Sequence, residues 1–396
     1  MSARSNATRK SNNARPAAAD RDRASAQAPA AQPEVKQEQR QLISLDAIED
    51  LRVMNEAGEI TNPNRMPKLS REELLRVHRA MVLTRKLDIR MLAMQRQGEM
   101  GTFAPGLGQE ATQIGQVFPL TKADWYAPSY RSFGAQLWRG WPIDQLMLLW
   151  DGFFEGFAPP ADVNDLPFCI VIGSHVPTAT GIAMGMKIRG ASDCVLVNFG
   201  DGASSQGVVS EAFNFAAVYQ SPVVFVLENN GWAISMRAET QVATESYAVR
   251  GVGFGIPSIR VDGNDVLAMI TASREACERA RAGNGPTLIE AVTYRMSVHT
   301  TADDPKVYRS ENEVAAWEAR CPIARFEKHL IGQKILSKDD CERIGRECEE
   351  QILAARESFR ARASANPREV FDHIYAELPP ELERQRAEYF RKLEAE

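Results

Sequence analysis

The sequence predicts an α/β protein: a doubly wound, mostly parallel sheet with helical N- and C-terminal extensions. Three observations carry this expectation. From residue 168 onward, short apolar runs rich in β-branched residues alternate with segments of helical period. The runs are apolar on both faces, as strands are when helices cover a sheet on either side. The loops after two consecutive runs, "GDG" and "NNG", are turn-forming and polar, which suits the carboxyl edge where open parallel sheets bind ligands.

Taken in order, residues 1–41 contain no Leu, Ile, Phe, Trp or Tyr, so they cannot bury enough surface to offset their ordering entropy. A disordered, solvated tail is expected there. Residues 42–69 form an N-terminal extension, with order beginning near "LISLDAIEDLRVM". A firm helix follows. Ser70 and Glu73 have capping-box spacing, and Leu74, Leu75, Met81, Val82 and Leu87 recur at helical intervals until the chain reaches Gly98. Residues 101–135 are rich in Gly, Pro and aromatics, a composition of loop and short helix that suits a site better than a core.

The strands are then expected in "FCIVIGS", "CVLVNFG", "PVVFVLEN", "SIRVDG" and "PTLIEAVTY", with helices in "TATGIAMGMKIRG" and "SQGVVSEAFNFAAVYQ". A polar loop at 295–310 closes this principal domain, which spans 70–310. Residues 311–396 are mostly helical, and from Ser337 the residues Cys341, Ile344, Cys348, Ile352, Ala355 and Phe359 trace one apolar stripe. This C-terminal region is expected to pack on the domain and on partner chains.

Composition bounds the function. At 396 residues and 44% hydrophobic content the chain can bury a sizeable core. Its net charge of -5 gives no footprint for nucleic acid or for an anionic membrane surface. No apolar run approaches the roughly 20 residues needed to span a bilayer. The six cysteines form no CxxC pair, which points to reduced thiols. With no secretory signal, a cytoplasmic setting is expected. Asp20 and Asp22 argue against a transit peptide and so against a mitochondrial matrix.

The chemistry concentrates in "NFGDGASSQG" and "ENNGW". Either stretch alone reads as a turn. Together they follow consecutive strands, and one crossover can bring Asp201 and Asn230 to the same edge of the sheet. A carboxylate, an amide oxygen and a backbone carbonyl make a partial oxygen shell for Mg²⁺. Gly200 and Gly202 would let the backbone approach a phosphate, with a helix N-terminus nearby.

Twenty-six residues, 203–228, separate the last glycine from the first asparagine. That arrangement resembles the thiamine diphosphate fingerprint. The resemblance widens over "LTRKLDIRMLAMQRQGEMGTFAPGLGQEATQIG", "YRSFGAQLWRG", "VPTATGIAMGMK", "VDGNDVLAM", "GPTLIEAVTYR" and "HTTADDPKVYRS". From about residue 70 to "YAELPPELERQ" the chain is similar to alpha subunits of the 2-oxo acid dehydrogenase decarboxylase component. It looks most like pyruvate dehydrogenase alpha chains of the bacterial type, with branched-chain and acetoin relatives as alternatives.

The resemblance implies thiamine diphosphate and Mg²⁺ as cofactors. It implies Asp201, Asn230 and the carbonyl of Trp232 as metal ligands, and Gly202, Ala203, Tyr130 and Arg131 at the diphosphate. The guanidinium of Arg131 suits phosphate oxygens by its fork geometry. Backbone at Ile170 and Ile172 would hold the aminopyrimidine. His175 departs from the family pattern, standing where relatives often carry Gln. His299 would lie beside the diphosphate and assist acyl transfer, and Thr300 matches a serine that animal relatives phosphorylate. Phe103 and Gln109 mark the expected substrate pocket. A non-catalytic binding module that kept this fold would show damage at these positions, and Asp201, Asn230, Arg131 and His299 are all present.

Thiamine enzymes also need a glutamate against the aminopyrimidine, supplied by a second α/β domain. The roughly 85 residues after the principal domain are too few for one. The resemblance accordingly implies a beta subunit that supplies this glutamate, in an assembly of two alpha and two beta chains. A lipoyl-bearing acyltransferase core would accept the acyl group, and the substrate would be a small 2-oxo acid.

Overall fold

The computed structural model describes residues 48–395 apart from 365 and 373, so the tail expected over 1–41 lies outside the described residues. Nine strands occur among the described residues: β1 (Glu49–Leu51), β2 (Trp125–Ala127), β3 (Asn164–Asp165), β4 (Val195–Gly200), β5 (Val223–Asn229), β6 (Trp232–Ala233), β7 (Met236–Arg237), β8 (Ser258–Asp262) and β9 (Thr287–Val292). Seven form one sheet in the order β1-β8-β9-β5-β4-β2-β3, every pair parallel. β6 and β7 form a separate antiparallel ribbon.

Two-sided burial explains the near-continuous apolar runs. Along β4 and β5, Leu196, Val224 and Val226 face a core shared with helices Arg71–Arg96, Glu110–Val117 and Val266–Arg281. Val195, Val197, Phe199, Val223, Phe225 and Leu227 face the opposite core, under helices His175–Ile188 and Gly207–Tyr219. A third cluster joins Leu87, Met91, Phe103, Phe133 and Trp141 to Ile352 and Phe359 of the helix Lys338–Arg362. The C-terminal helices also enter the first core, where Phe326, Leu330, Ile344 and Cys348 join Leu196 and Val224 of the sheet. All six cysteines are free, three buried and three half-buried.

The first helix starts where its capping box predicts. Ser70 Oγ accepts from Glu73 N at 3.2 Å and Ser70 N donates to Glu73 Oε2 at 2.7 Å. Ser337 and Asp340 repeat the device at the helix Lys338–Arg362. The described part of the N-terminal extension carries only one short 3-10 turn, Pro63–Arg65, and no α-helix. It adds β1 to the edge of the sheet, because buried Asp265 accepts from Val53 N (2.8 Å) and Met54 N (2.6 Å) and holds the chain beside β8.

"FCIVIGS" is not a strand. The ladder position beside β4 is taken by β2, drawn from a stretch read as loop and short helix. The run 168–174 finds no strand partner among the described residues and turns at the surface, with Ile170 61% and Val171 68% exposed. No helix among the described residues is long and apolar enough to cross a membrane.

Phe359, 1% exposed in the third cluster, tests whether the long C-terminal helix belongs to the same cooperative unit. Phe359→Ala is expected to cost about 3–5 kcal/mol in urea unfolding, within one transition. A separate early transition for the C-terminal helices would contradict a shared core.

Candidate active site

Loops leaving the carboxyl ends of β2, β4, β5 and β9 surround a cavity of about 490 Å³. Tyr130, Arg131, Ile170, Ile172, Asp201, Gly202, Ala203, Asn230, Trp232 and His299 all line it, with His175 and Thr300. Residues far apart in sequence meet there because parallel strands deliver every such loop to one edge. Phe103 and Gln109 are not among the lining residues. Phe103 lies edge-on behind Trp150, which lines the cavity, their centroids 5.2 Å apart. Gln109 is fully buried behind Asn230, whose Nδ2 donates to Gln109 Oε1 at 3.2 Å. Thr102 and Ala104 reach the cavity instead.

The two motifs are locked together. A Cβ added to Gly202 would sit 2.8 Å from that of Ala233, so the ribbon after "ENNG" can lie this close only over a glycine. Gln241 Nε2 donates to Asp201 Oδ2 at 3.0 Å, and Ser204 Oγ donates to Asp201 O at 2.6 Å. Burial raises the Asp201 carboxyl above the usual carboxylate range, partly offset by Gln241. Gly231 takes φ +82°, and Ile234 holds φ +55°, a left-handed conformation uncommon for a β-branched residue. Strain of this kind collects at functional sites. The Trp232 indole is fixed from the C-terminal region, where Nε1 donates to Glu313 Oε1 at 3.2 Å.

Positive charge enters from the other loops. Arg131 and Arg295 are 4% and 0% exposed, and neither has a carboxylate within ion-pair distance among the described residues. Arg131 Nη2 and Arg295 Nη1 each lie 3.0 Å from His299 Nδ1. Guanidinium only donates, so Nδ1 accepts and the ring proton resides on Nε2. Arg131 also donates to the carbonyl of Pro105, and Arg295 to those of Trp232 (3.4 Å) and Ile234 (2.7 Å) and to Tyr308 Oη (2.8 Å). Asp303 Oδ2 accepts from His299 N at 2.7 Å and from Tyr308 Oη at 2.6 Å, which sets the loop. Burial, with Arg131 beside it, pushes Arg295 down to about 10, still cationic at neutral pH.

Sequence reasoning missed Arg295, Glu228, Gln241 and Glu313. Arg295 stood in the quoted "AVTYR", and its spacing of four residues before His299 was the available signal. Glu228 lines the cavity, buried, and its Oε1 accepts from Gln116 Nε2 (2.8 Å), Asn198 Nδ2 (2.8 Å) and Ser132 Oγ (3.1 Å). Burial raises its carboxyl. His175 donates Nε2–H to Asn198 O at 2.8 Å, and burial lowers its pKa. That bond secures the start of its helix against β4.

The fold and cavity define the class: a doubly wound α/β protein whose sheet opens at its carboxyl edge onto a cavity lined by buried Arg131, Asp201 and Glu228. The dehydrogenase E1 component family model matches residues 78–368, and the chain belongs to that family. Among curated proteins it is 43% identical to the pyruvate dehydrogenase E1 component subunit alpha of Acholeplasma laidlawii, over 85% of this chain and 98% of the relative. It is 42% identical to the 3-methyl-2-oxobutanoate dehydrogenase subunit alpha of Mycobacterium tuberculosis (strain CDC 1551 / Oshkosh), over 87% and 94%. It is 39% identical to the pyruvate dehydrogenase E1 component subunit alpha of Bacillus subtilis (strain 168), over 86% and 92%.

Burial first, then the charges of Arg131 and Arg295, push the His299 pKa down to about 3 from an ordinary 6.5. Because the folded value is the lower, the unfolded chain protonates first. The ring's contribution to stability is intact above pH 6.5 and is lost as the pH falls toward 3. In NMR titration of the unliganded chain the His299 ring is expected to stay neutral at about pH 5, and Arg131→Gln to raise its midpoint. A wild-type midpoint at the ordinary histidine value would contradict the arrangement.

Proposed function

We propose that this chain is the alpha subunit of a pyruvate dehydrogenase decarboxylase component, binding thiamine diphosphate and Mg²⁺ in the cavity described above. The observation that carries the reading is Arg131, which lines the cavity, with Arg295 buried behind it on the far side of their shared contact to His299. A buried guanidinium without a carboxylate partner favours an anion, and a diphosphate has the charge and oxygen geometry for Arg131. Asp201 fits the cation that accompanies a diphosphate, since its carboxylate is buried and receives only Gln241 from a side chain.

Asp201, Asn230 Oδ1 and the Trp232 carbonyl are the residues that would hold Mg²⁺. Gln109 accepts from the amide nitrogen of Asn230 and so determines which end of that amide is left as oxygen. Gly202 and Ala203 would lie against the phosphates, and the backbone at Ile170 and Ile172 at the cavity rim is available to an aminopyrimidine. The bound cofactor supplies the electron sink for loss of carbon dioxide from a 2-oxo acid. His299, with Nδ1 occupied by two arginines, has Nε2–H to offer, a donor suited to an oxygen that gains charge during acyl transfer to a lipoyl group.

Among the described residues Glu228 is the one glutamate lining the cavity, and its three side-chain hydrogen bonds converge on Oε1. It works as a scaffold, and the proton-handling glutamate belongs to a beta subunit. The active unit would be two alpha and two beta chains serving a lipoyl-bearing acyltransferase. The bacterial relatives support the expected cytoplasmic setting. The 42% identity to a 3-methyl-2-oxobutanoate dehydrogenase alpha subunit favours a branched-chain 2-oxo acid as the second reading.

The full chain alone is expected to show no decarboxylation of pyruvate with thiamine diphosphate and Mg²⁺, and to gain activity with its beta subunit. In calorimetry of the assembled complex, Asp201→Ala is expected to weaken cofactor binding by about 2–5 kcal/mol. Turnover by the isolated chain would overturn the subunit assignment, and unchanged binding in the variant would overturn the metal assignment. Preference for 3-methyl-2-oxobutanoate over pyruvate would select the second reading.

A further inference from the structure

Away from the cavity, three helices bring together side chains that the function proposed above does not use. His78 lies on Arg71–Arg96, Glu327 on Pro322–Gly332 and Cys341 on Lys338–Arg362. One imidazole nitrogen, one carboxylate oxygen and the thiol sulfur all lie within 4.8 Å of one another. His78 is fully buried and the other two are half-buried. We propose that His78, Glu327 and Cys341 form a binding site for a divalent transition metal ion of the zinc class.

The donor set selects the ion. Imidazole, thiolate and carboxylate suit Zn²⁺, and a hard ion such as Mg²⁺ avoids sulfur. Bond lengths of about 2.0–2.3 Å in tetrahedral geometry place ligand atoms within the separation seen here, with water as the fourth ligand. His78 Nε2 and Glu327 Oε1 stand 2.9 Å apart, so the metal would replace a hydrogen bond and open this contact by only a few tenths of an ångström.

The surroundings agree with a cation. Cys341 lies in the first turn of its helix, where the dipole favours a thiolate. Without a metal, burial raises the thiol pKa, and the Glu327 carboxylate facing the sulfur adds to it. A divalent ion turns this repulsion into shared ligation, and the thiol proton leaves to solvent as the metal–sulfur bond forms. The partial exposure of Glu327 and Cys341 provides a way in. The bound ion would clamp the first helix of the domain to two C-terminal helices.

The test titrates the metal-free full chain with Co²⁺ under anaerobic conditions and then competes with Zn²⁺. Expected are one Co²⁺ per chain, tetrahedral visible bands and a near-ultraviolet thiolate-to-cobalt band, all displaced by Zn²⁺. Cys341→Ser should remove the thiolate band. Glu327→Gln, which keeps the side-chain shape, should weaken Co²⁺ binding by about tenfold or more with an unchanged circular dichroism spectrum. Zn²⁺ should also raise the melting temperature of the wild type more than that of Cys341→Ser. Absence of the thiolate band at saturating Co²⁺ would overturn the proposal, as would an undiminished band in Cys341→Ser. If Cys341→Ser does not fold, unchanged affinity in Glu327→Gln would do the same.

Discussion

The hydrogen bond between Asn198 and Glu228, neighbours across the two central strands, is the constraint on which the site rests. Both side chains emerge on a face otherwise packed with Leu196, Val224 and Val226, so each polar atom must find a partner there or impose a desolvation cost. They find them in β2 and the loop that follows it. Asn198 Oδ1 accepts from Ser129 N (3.0 Å) and Tyr126 Oη (2.9 Å), and Glu228 accepts from Ser132 Oγ. Ser129 and Ser132 bracket Tyr130 and Arg131. The buried network thus sets where the cavity's arginine stands relative to β4, which ends just before Asp201.

Electrostatics follow from that placement. Arg131 and the carboxyl groups of Asp201 and Glu228 line one cavity, buried, with Arg295 buried behind it, and no ion pair joins them among the described residues, although pairing is how proteins ordinarily relieve buried charge. Keeping them apart leaves a demand for a ligand carrying both signs, a cation next to an anion, and a magnesium diphosphate has that character. The same separation explains the histidine. Flanked by Arg131 and Arg295, His299 is held neutral in the unliganded protein, and an arriving anion would soften that field.

The parts of this design legible in the sequence are those with a local cause. Ser70 and Glu73 announced a helix start through spacing alone, and β4, β5 and β9 announced themselves because two-sided burial demands near-continuous apolar runs, whereas β8, only half-buried, showed itself by the short β-branched run in "SIRVDG". β1, β2 and β3 are two or three residues long, and what makes them strands is a neighbour, such as Asp265 for the chain after β1, that no local pattern reveals. "FCIVIGS" fails for the converse reason: its apolar residues have strand composition, but the place beside β4 is taken by β2. At the site, the lining residues Asp201, Asn230, Arg131 and His299 were readable from motif and resemblance. Glu228 acts through partners 30 to 112 residues distant and Arg295 through partners up to 63 residues distant, and Phe103 and Gln109 show that proximity in sequence to a site need not put a side chain on its surface.

The C-terminal helices then acquire a role that their charged composition hid. Glu313 accepts from Trp232 Nε1, from Tyr294 Oη at 2.8 Å and from Arg237 Nη2 at 2.9 Å, so one carboxylate braces the loops after β5 and β9 together. Further along, Arg325 is buried and binds Asp262 at 3.0 Å, joining the end of β8 to the helix Pro322–Gly332. Removing this layer would leave the carboxyl-edge loops supported only from the sheet. The Trp232 carbonyl and the arginines that hold His299 would then lose their registry, even though no C-terminal residue lines the cavity. The region past residue 310 is therefore better understood as the outer wall of the site than as an appendage to the domain.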